Sequence, residues 1–238
     1  MKLACTSGAF HAAIESGGLT QLEFLDLCAR EAACDGIVFD VRHFPRTDDE
    51  YLAQLKKMAT DRGLTVAAVA DASFFGAPQD RMAAVLDWAV ALGAPLIAAP
   101  LAREVECAWS EQLERLGVAA TLAKARNVTL ALRNAADTFA ATTHDCKRVA
   151  KETDSAWLRF GPEPLRLDAA SDPRVLAPNS VLLWSDVRLD AESAIDRVVE
   201  VFADFRGHAV LDDARGEASA AGISAVVRRW RTALAVAR

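Results

Sequence analysis

The sequence predicts one closed (β/α)8 barrel, a TIM barrel, occupying residues 1–238 as a single domain. Three observations point there. Short apolar runs alternate with amphipathic segments from one end of the chain to the other, as strand–helix units do. The units take roughly 30 residues each, the usual length of such a repeat, and leave no spare linker or low-complexity tract. The runs are apolar nearly throughout, as in a parallel sheet covered on both faces. A doubly wound sheet seldom needs eight units at even spacing, whereas a barrel does.

The eight strands are expected at KLACTS from Lys2, GIVFDV from Gly36, LTVAAVA from Leu64, PLIAAPL from Pro95, VTLALR from Val128, WLRFG from Trp157, SVLLWSD from Ser180 and HAVLD from His208. Helices fall between them, clearest in LTQLEFLDLCAREAAC, DDEYLAQLKKMATDRG and ESAIDRVVEVFADF. In the second of these, Tyr51, Leu52, Leu55 and Met58 recur at helical spacing. Asp48 and Asp49 stand where acidic N-cap residues belong, and Gly63 supplies a stop. The segment after Leu165 carries the weakest pattern.

Composition narrows the class. The chain is 52% hydrophobic and 25% charged with a net charge of −6, an ordinary globular profile. Its acidic balance opposes a phosphate backbone, so no nucleic-acid partner is expected. VVRRWRTAL, with Arg228, Arg229 and Arg231 beside Trp230, is too short a basic run to argue otherwise. Five cysteines without a CxxC pair suggest reduced thiols. No export signal or membrane span is visible, so a cytoplasmic protein is expected. Nucleotide loops (GxxxxGK[ST], GxGxxG) and a GxSxG elbow are absent. A homodimer is allowed through Trp109, expected to be exposed, or the terminal helices.

Barrel active sites gather at the C-terminal strand ends. Those ends carry Ser7, Asp40 with Arg42 and His43, Asp71, Arg103, Arg133 with Asn134, Glu163, Asp186 with Arg188, and Asp212 with Asp213. In strand five, Val128, Leu130 and Leu132 share one face and Thr129, Ala131 and Arg133 the other. The bulkier set suits the helix layer, which turns Arg133 into the mouth.

The segment ACDGIVFDVRHFPRTDDEYLAQLKKMATDRGLTVAAV resembles the xylose isomerase-like TIM-barrel superfamily in its rhythm. A small turn leads into strand two, a helix with LxxLKKxA follows, and GLT enters strand three. The resemblance implies a sugar or sugar-phosphate isomerase or epimerase. It also implies a divalent metal held by a Glu ending strand five, an Asp ending strand six, a His in strand seven and a Glu in strand eight. Carried over, those ligands fall on Arg133, near Gly161, near Leu183 and on Asp212, with Asp213 an alternative to the last. Three of four are lost, one to a cation, so the metal site reads as degenerate and no metal or other cofactor is expected.

Acid/base candidates are therefore Asp212, Glu163 in the GPEP loop, and His43. Substrate-binding candidates are Arg133, Asn134, Asp40, Arg42, Trp184 and Asp186. Each has a plainer reading. Arg133 could form a structural ion pair with Asp212 or Asp186. Asp40 and Arg42 could make a local salt bridge, Glu163 could be solvated, and Trp184 could be core. His11 and His144 are expected at surfaces or helix ends, His208 at the barrel bottom, and Cys5 lacks an activating base. The expected partner is a small sugar or sugar phosphate, turned over by proton transfer without a metal. The competing reading is an inactive carbohydrate- or anion-binding regulatory barrel.

Overall fold

The computed structural model describes residues 1–189 and 192–237. Eight parallel strands build the sheet: β1 (Lys2–Thr6), β2 (Gly36–Asp40), β3 (Thr65–Ala70), β4 (Leu96–Ala99), β5 (Thr129–Leu132), β6 (Leu158–Phe160), β7 (Leu182–Asp186) and β8 (His208–Asp212). They run in the order β6-β5-β4-β3-β2-β1-β8-β7. The β6–β7 seam is closed more loosely, by Val181 N–H to Phe160 O at 2.9 Å and Trp184 N–H to Pro162 O at 2.8 Å. The expected (β/α)8 barrel is the observed fold, and each strand lies where the apolar runs placed it.

The helices are α1 (His11–Glu15), α2 (Gln21–Asp26), α3 (Asp49–Asp61), α4 (Gln79–Leu92), α5 (Trp109–Arg126), α6 (Thr143–Thr153), α7 (Glu192–Val201) and α8 (Ala220–Val236). Asp48 caps α3, accepting from Tyr51 N–H, and Gly63 takes φ +73° just beyond it, as the pattern required. One expectation fails. The sixth strand is not followed by an α-helix; three 3-10 turns (Pro164–Arg166, Pro173–Val175, Ala177–Asn179) cross to β7 instead. Each of those turns contains a proline, which removes a backbone donor and prevents a continuous ladder.

Two apolar layers divide the strand residues. Leu130 and Leu132 of β5 and Leu183 of β7 face the helices. The barrel interior holds a smaller set, Ala4, Val38, Ala67, Ala68, Ala98, Ala131, Leu182, Trp184 and Val210. Five alanines leave room that the indole of Trp184 fills. Trp184 is thus inside the barrel, while Leu183, the residue matched to the missing histidine, points outward. His208 sits at the bottom as expected.

Trp109 is not the exposed contact residue anticipated. It is half-buried, its ring 5.3 Å from Phe139 with Arg148 stacked at 4.8 Å and Nε1–H donating to Glu152 at 2.7 Å. Among the described residues no helix is long and apolar enough to cross a membrane.

Candidate active site

Strand alternation carries Arg133 inward at the end of β5, where its Nη2 lies 2.7 Å from Glu163 and 3.0 Å from Asp212. Its guanidinium carbon stands 4.2 Å above the Trp184 ring centre, a favourable face for a cation. Glu163, 1% exposed, is shared: Arg166 approaches its other oxygen at 2.5 Å and also pairs with Asp186. The result is an alternating chain across the mouth, Asp212–Arg133–Glu163–Arg166–Asp186. Asn134 pins the loop, accepting Glu163 N–H at 2.6 Å and donating to Glu163 O at 3.4 Å. The prolines of GPEP and this staple hold Glu163 buried rather than solvated.

The electrostatics follow from crowding. Burial pushes the Asp212 carboxyl above the ordinary range, and the negative charge of Glu163 adds to the rise while Arg133 opposes it. Burial works against the charge of Arg133 too, but Asp212 and Glu163 outweigh it and push the guanidinium's pKa up. Asp212 remains 12% exposed on its side chain, reachable from the cavity. Beside it, Asp213 is bound by Arg188 at 2.6 Å, which holds its carboxyl below the usual range against the opposing effect of burial.

The opposite wall is built by β1 and β2. Asp40 forms the bidentate bridge with Arg42 that their spacing suggested, 2.6 Å at the closest. Ser7 Oγ accepts Asp40 N–H at 2.9 Å and meets His43 Nδ1 at 3.0 Å. His43 Nε2 meets His11 Nδ1 at 3.0 Å, and His11 Nε2 lies 3.6 Å from Glu15. One proton arrangement satisfies every link. Ser7 donates to His43, His43 Nε2–H donates to His11, and His11 Nε2–H faces the carboxylate.

These walls enclose a cavity of about 460 Å³ lined by Asp40, Arg42, Arg133, Asn134, Glu163, Trp184 and Asp212, among others. Seven of the nine candidate residues therefore converge on one space. The other two stand behind it: Asp186 beneath Arg166, and His43 behind His11. His11 stands at a helix end as expected, the first residue of α1, and also lines the cavity, where Gly216 (φ +69°) lets the β8 loop close against it. A Cβ on Gly216 would come within 2.6 Å of His11 Cβ. Arg166 and Arg215 also line the cavity and were not anticipated. Only the i,i+3 spacing of Glu163 and Arg166 hinted at the former. Among the described residues no group of three or more His, Cys, Asp or Glu side chains is placed to hold a metal ion.

A sequence model of the family described as xylose isomerase-like TIM barrel matches residues 28–165. No curated protein sequence matches the chain. Among solved structures, a D-psicose 3-epimerase from Clostridium cellulolyticum superposes with a TM-score of 0.78 at 15% identity, over 100% of this chain and 98% of its own. A probable 3-DHS dehydratase from Bacillus anthracis gives 0.76 at 12% identity, over 96% and 98%. A 3-keto-D-glucoside 4-epimerase from E. coli gives 0.71 at 12%, over 90% and 94%. At such identities the likeness is one of fold.

Proposed function

The chain belongs to the xylose isomerase-like TIM barrel family, and from that premise we propose that it is an isomerase- or epimerase-like protein acting on a small carbohydrate by proton transfer, without the divalent metal its relatives' ligand pattern implies. The carrying observation is the Asp212–Arg133–Glu163 bridge at the centre of the mouth. The residues present do not fit a hard divalent ion. An ion ligated by those two carboxylates would lie about 4 Å from the guanidinium, a repulsion of roughly 4 kcal/mol per unit of ionic charge at an effective dielectric near 20. The strand-six position is Gly161, whose Cβ would stand 3.2 Å from Ala131 Cβ. The inward strand-seven position is Trp184, whose indole offers no lone pair.

The bridge suits a different chemistry. In this reading the Asp212 carboxylate takes a proton from the carbon next to a sugar carbonyl, and the electron pair moves onto the carbonyl oxygen. Negative charge then leaves Asp212 and appears on the substrate within reach of the same guanidinium. Arg133 loses one anionic partner as it gains another, so no net charge is created in the low-dielectric mouth. A carboxyl raised toward neutrality by burial is a better acceptor than an ordinary aspartate. Glu163, clamped by two arginines, acts as a positioning residue for Arg133. Because the forks of Arg133 and Arg166 are each bracketed by two carboxylates, the mouth favours a neutral sugar over a sugar phosphate. Asp40, Arg42 and Asn134 are placed to take its hydroxyls, and Trp184 lies beneath.

Solvent deuterium exchange into a panel of ketoses and aldoses tests this. Incorporation is expected in the native protein and a loss of about 10² to 10⁴-fold in Asp212→Asn, the range for removing a general base. The second reading is an inactive carbohydrate- or anion-binding regulatory barrel, and the full engagement of Arg133 by Glu163 and Asp212 favours its carbohydrate-binding form. Tight sugar binding with no exchange would establish it.

A further inference from the structure

The mouth does not end at the barrel axis. A second cavity of about 630 Å³ lies over the loops after β3 and β4, and it shares Ala72, Pro100, Ala135 and Ala136 with the mouth cavity. The two are thus one trough, polar at one end and apolar at the other. Ala77, Pro78, Leu101 and Ala102 supply the far walls. Side chains this short leave a slot between backbone segments, with Ser73, Glu106 and Thr138 its polar side chains besides the arginines and the prolines and alanines offering apolar faces. The rim of the slot carries two arginines and one carboxylate, Glu106, which accepts the Arg103 N–H at 3.2 Å. Arg103 is exposed and its guanidinium has no ion-pair partner among the described residues. Arg81, also lining the slot, stacks on Trp88 at 4.5 Å and reaches Asp71 only at 3.6 Å.

Resting on the carbohydrate reading of the mouth, we propose that this slot is an aglycone subsite: the substrate is a two-part molecule, a sugar ring in the mouth joined to a flat, apolar ring that lies between the Pro78 and Ala102 walls, with Arg103 placed to meet an acidic substituent on that ring. Each cavity has the volume of a small-molecule site, and a free monosaccharide fills only the first. Burying the second ring removes its faces from water, which adds affinity that a methyl group in the same position does not supply.

The test compares aryl glycosides (phenyl and 4-carboxyphenyl) with the methyl glycosides of the same sugars, by isothermal titration calorimetry on the full chain. At least one phenyl glycoside is expected to bind about tenfold or more tightly than its methyl counterpart. Ala102→Trp, which fills the slot without entering the mouth, should erase that gain and leave methyl-glycoside affinity unchanged. Ala77→Phe on the facing wall gives the same readout if the tryptophan variant folds poorly. Arg103→Ala should selectively weaken the carboxyphenyl compound. Equal affinity for aryl and methyl glycosides, or a gain that survives both slot variants, overturns the subsite and leaves the carbohydrate reading standing. Absence of binding by every sugar and glycoside overturns both.

Discussion

Arg133 holds two buried carboxylates apart, and that position gives it a measurable weight. Replacing it by Met keeps most of the side-chain volume over Trp184 but strands Asp212 and half of Glu163 without a cation. Removing one partner of a buried ion pair costs about 3–5 kcal/mol, so Arg133→Met should lower urea stability by about 3 kcal/mol, Glu163 keeping Arg166. An unchanged midpoint would mean the guanidinium is not what neutralises the mouth. His43 offers a second handle. Burial depresses its imidazole below the ordinary value of 6.5, Asp40 partly opposing and Arg42 and His11 adding to the drop. The unfolded chain therefore binds a proton that the folded chain resists. Stability contributed by neutral His43 is complete above about pH 6.5 and is lost as pH falls from there toward the lowered folded value. His43→Gln should flatten the decline between pH 7 and pH 5.5 in denaturation curves. Asp212 acts with the opposite sign, since its raised carboxyl gains protons on folding, whereas His208, also depressed by burial, adds to the slope of His43.

At the level of elements, the loop after β8 and the start of α1 meet across Gly216. Its φ of +69° lies in the left-handed region, and any Cβ there collides with His11. Gly216→Ala should therefore cost about 1–3 kcal/mol of strain and displace His11, cutting exchange activity even though residue 216 performs no chemistry. Full activity with unchanged stability would show that the loop has slack. The stretch between β6 and β7 shows where pattern reading stops working. Its prolines announce that a helix cannot run there, yet they do not announce that Glu163 will be buried. That outcome comes from two hydrogen bonds to Asn134, a residue 29 positions earlier. Strand alternation, by contrast, carried real information. Arg133 and Ala131 faced inward and Leu130 and Leu132 outward because a two-residue period cannot be satisfied any other way in a covered sheet.

For the molecule as a whole, the proposal without a metal makes a simple demand. Mn²⁺, Mg²⁺, Co²⁺ or Zn²⁺ at millimolar concentration, or prior treatment with chelator, should leave the melting temperature unchanged, since a ligand stabilises only by binding the native state. A rise of several degrees with any one ion, lost in Asp212→Asn, would restore the family's chemistry. The amino-acid order alone determined the eight-stranded barrel, the inward turn of Arg133, the Asp40–Arg42 bridge and the set of strand ends that make the mouth, because periodicity and turn chemistry are local properties. Only the tertiary structure decided that Glu163 rather than Asp186 is the second partner of Arg133, that His11 and not His43 reaches the cavity, and that Trp184 fills an interior lined with alanine. Those choices depend on which distant loops share the small space above the sheet, and there the cost of an unpaired buried charge selects neighbours that sequence spacing cannot.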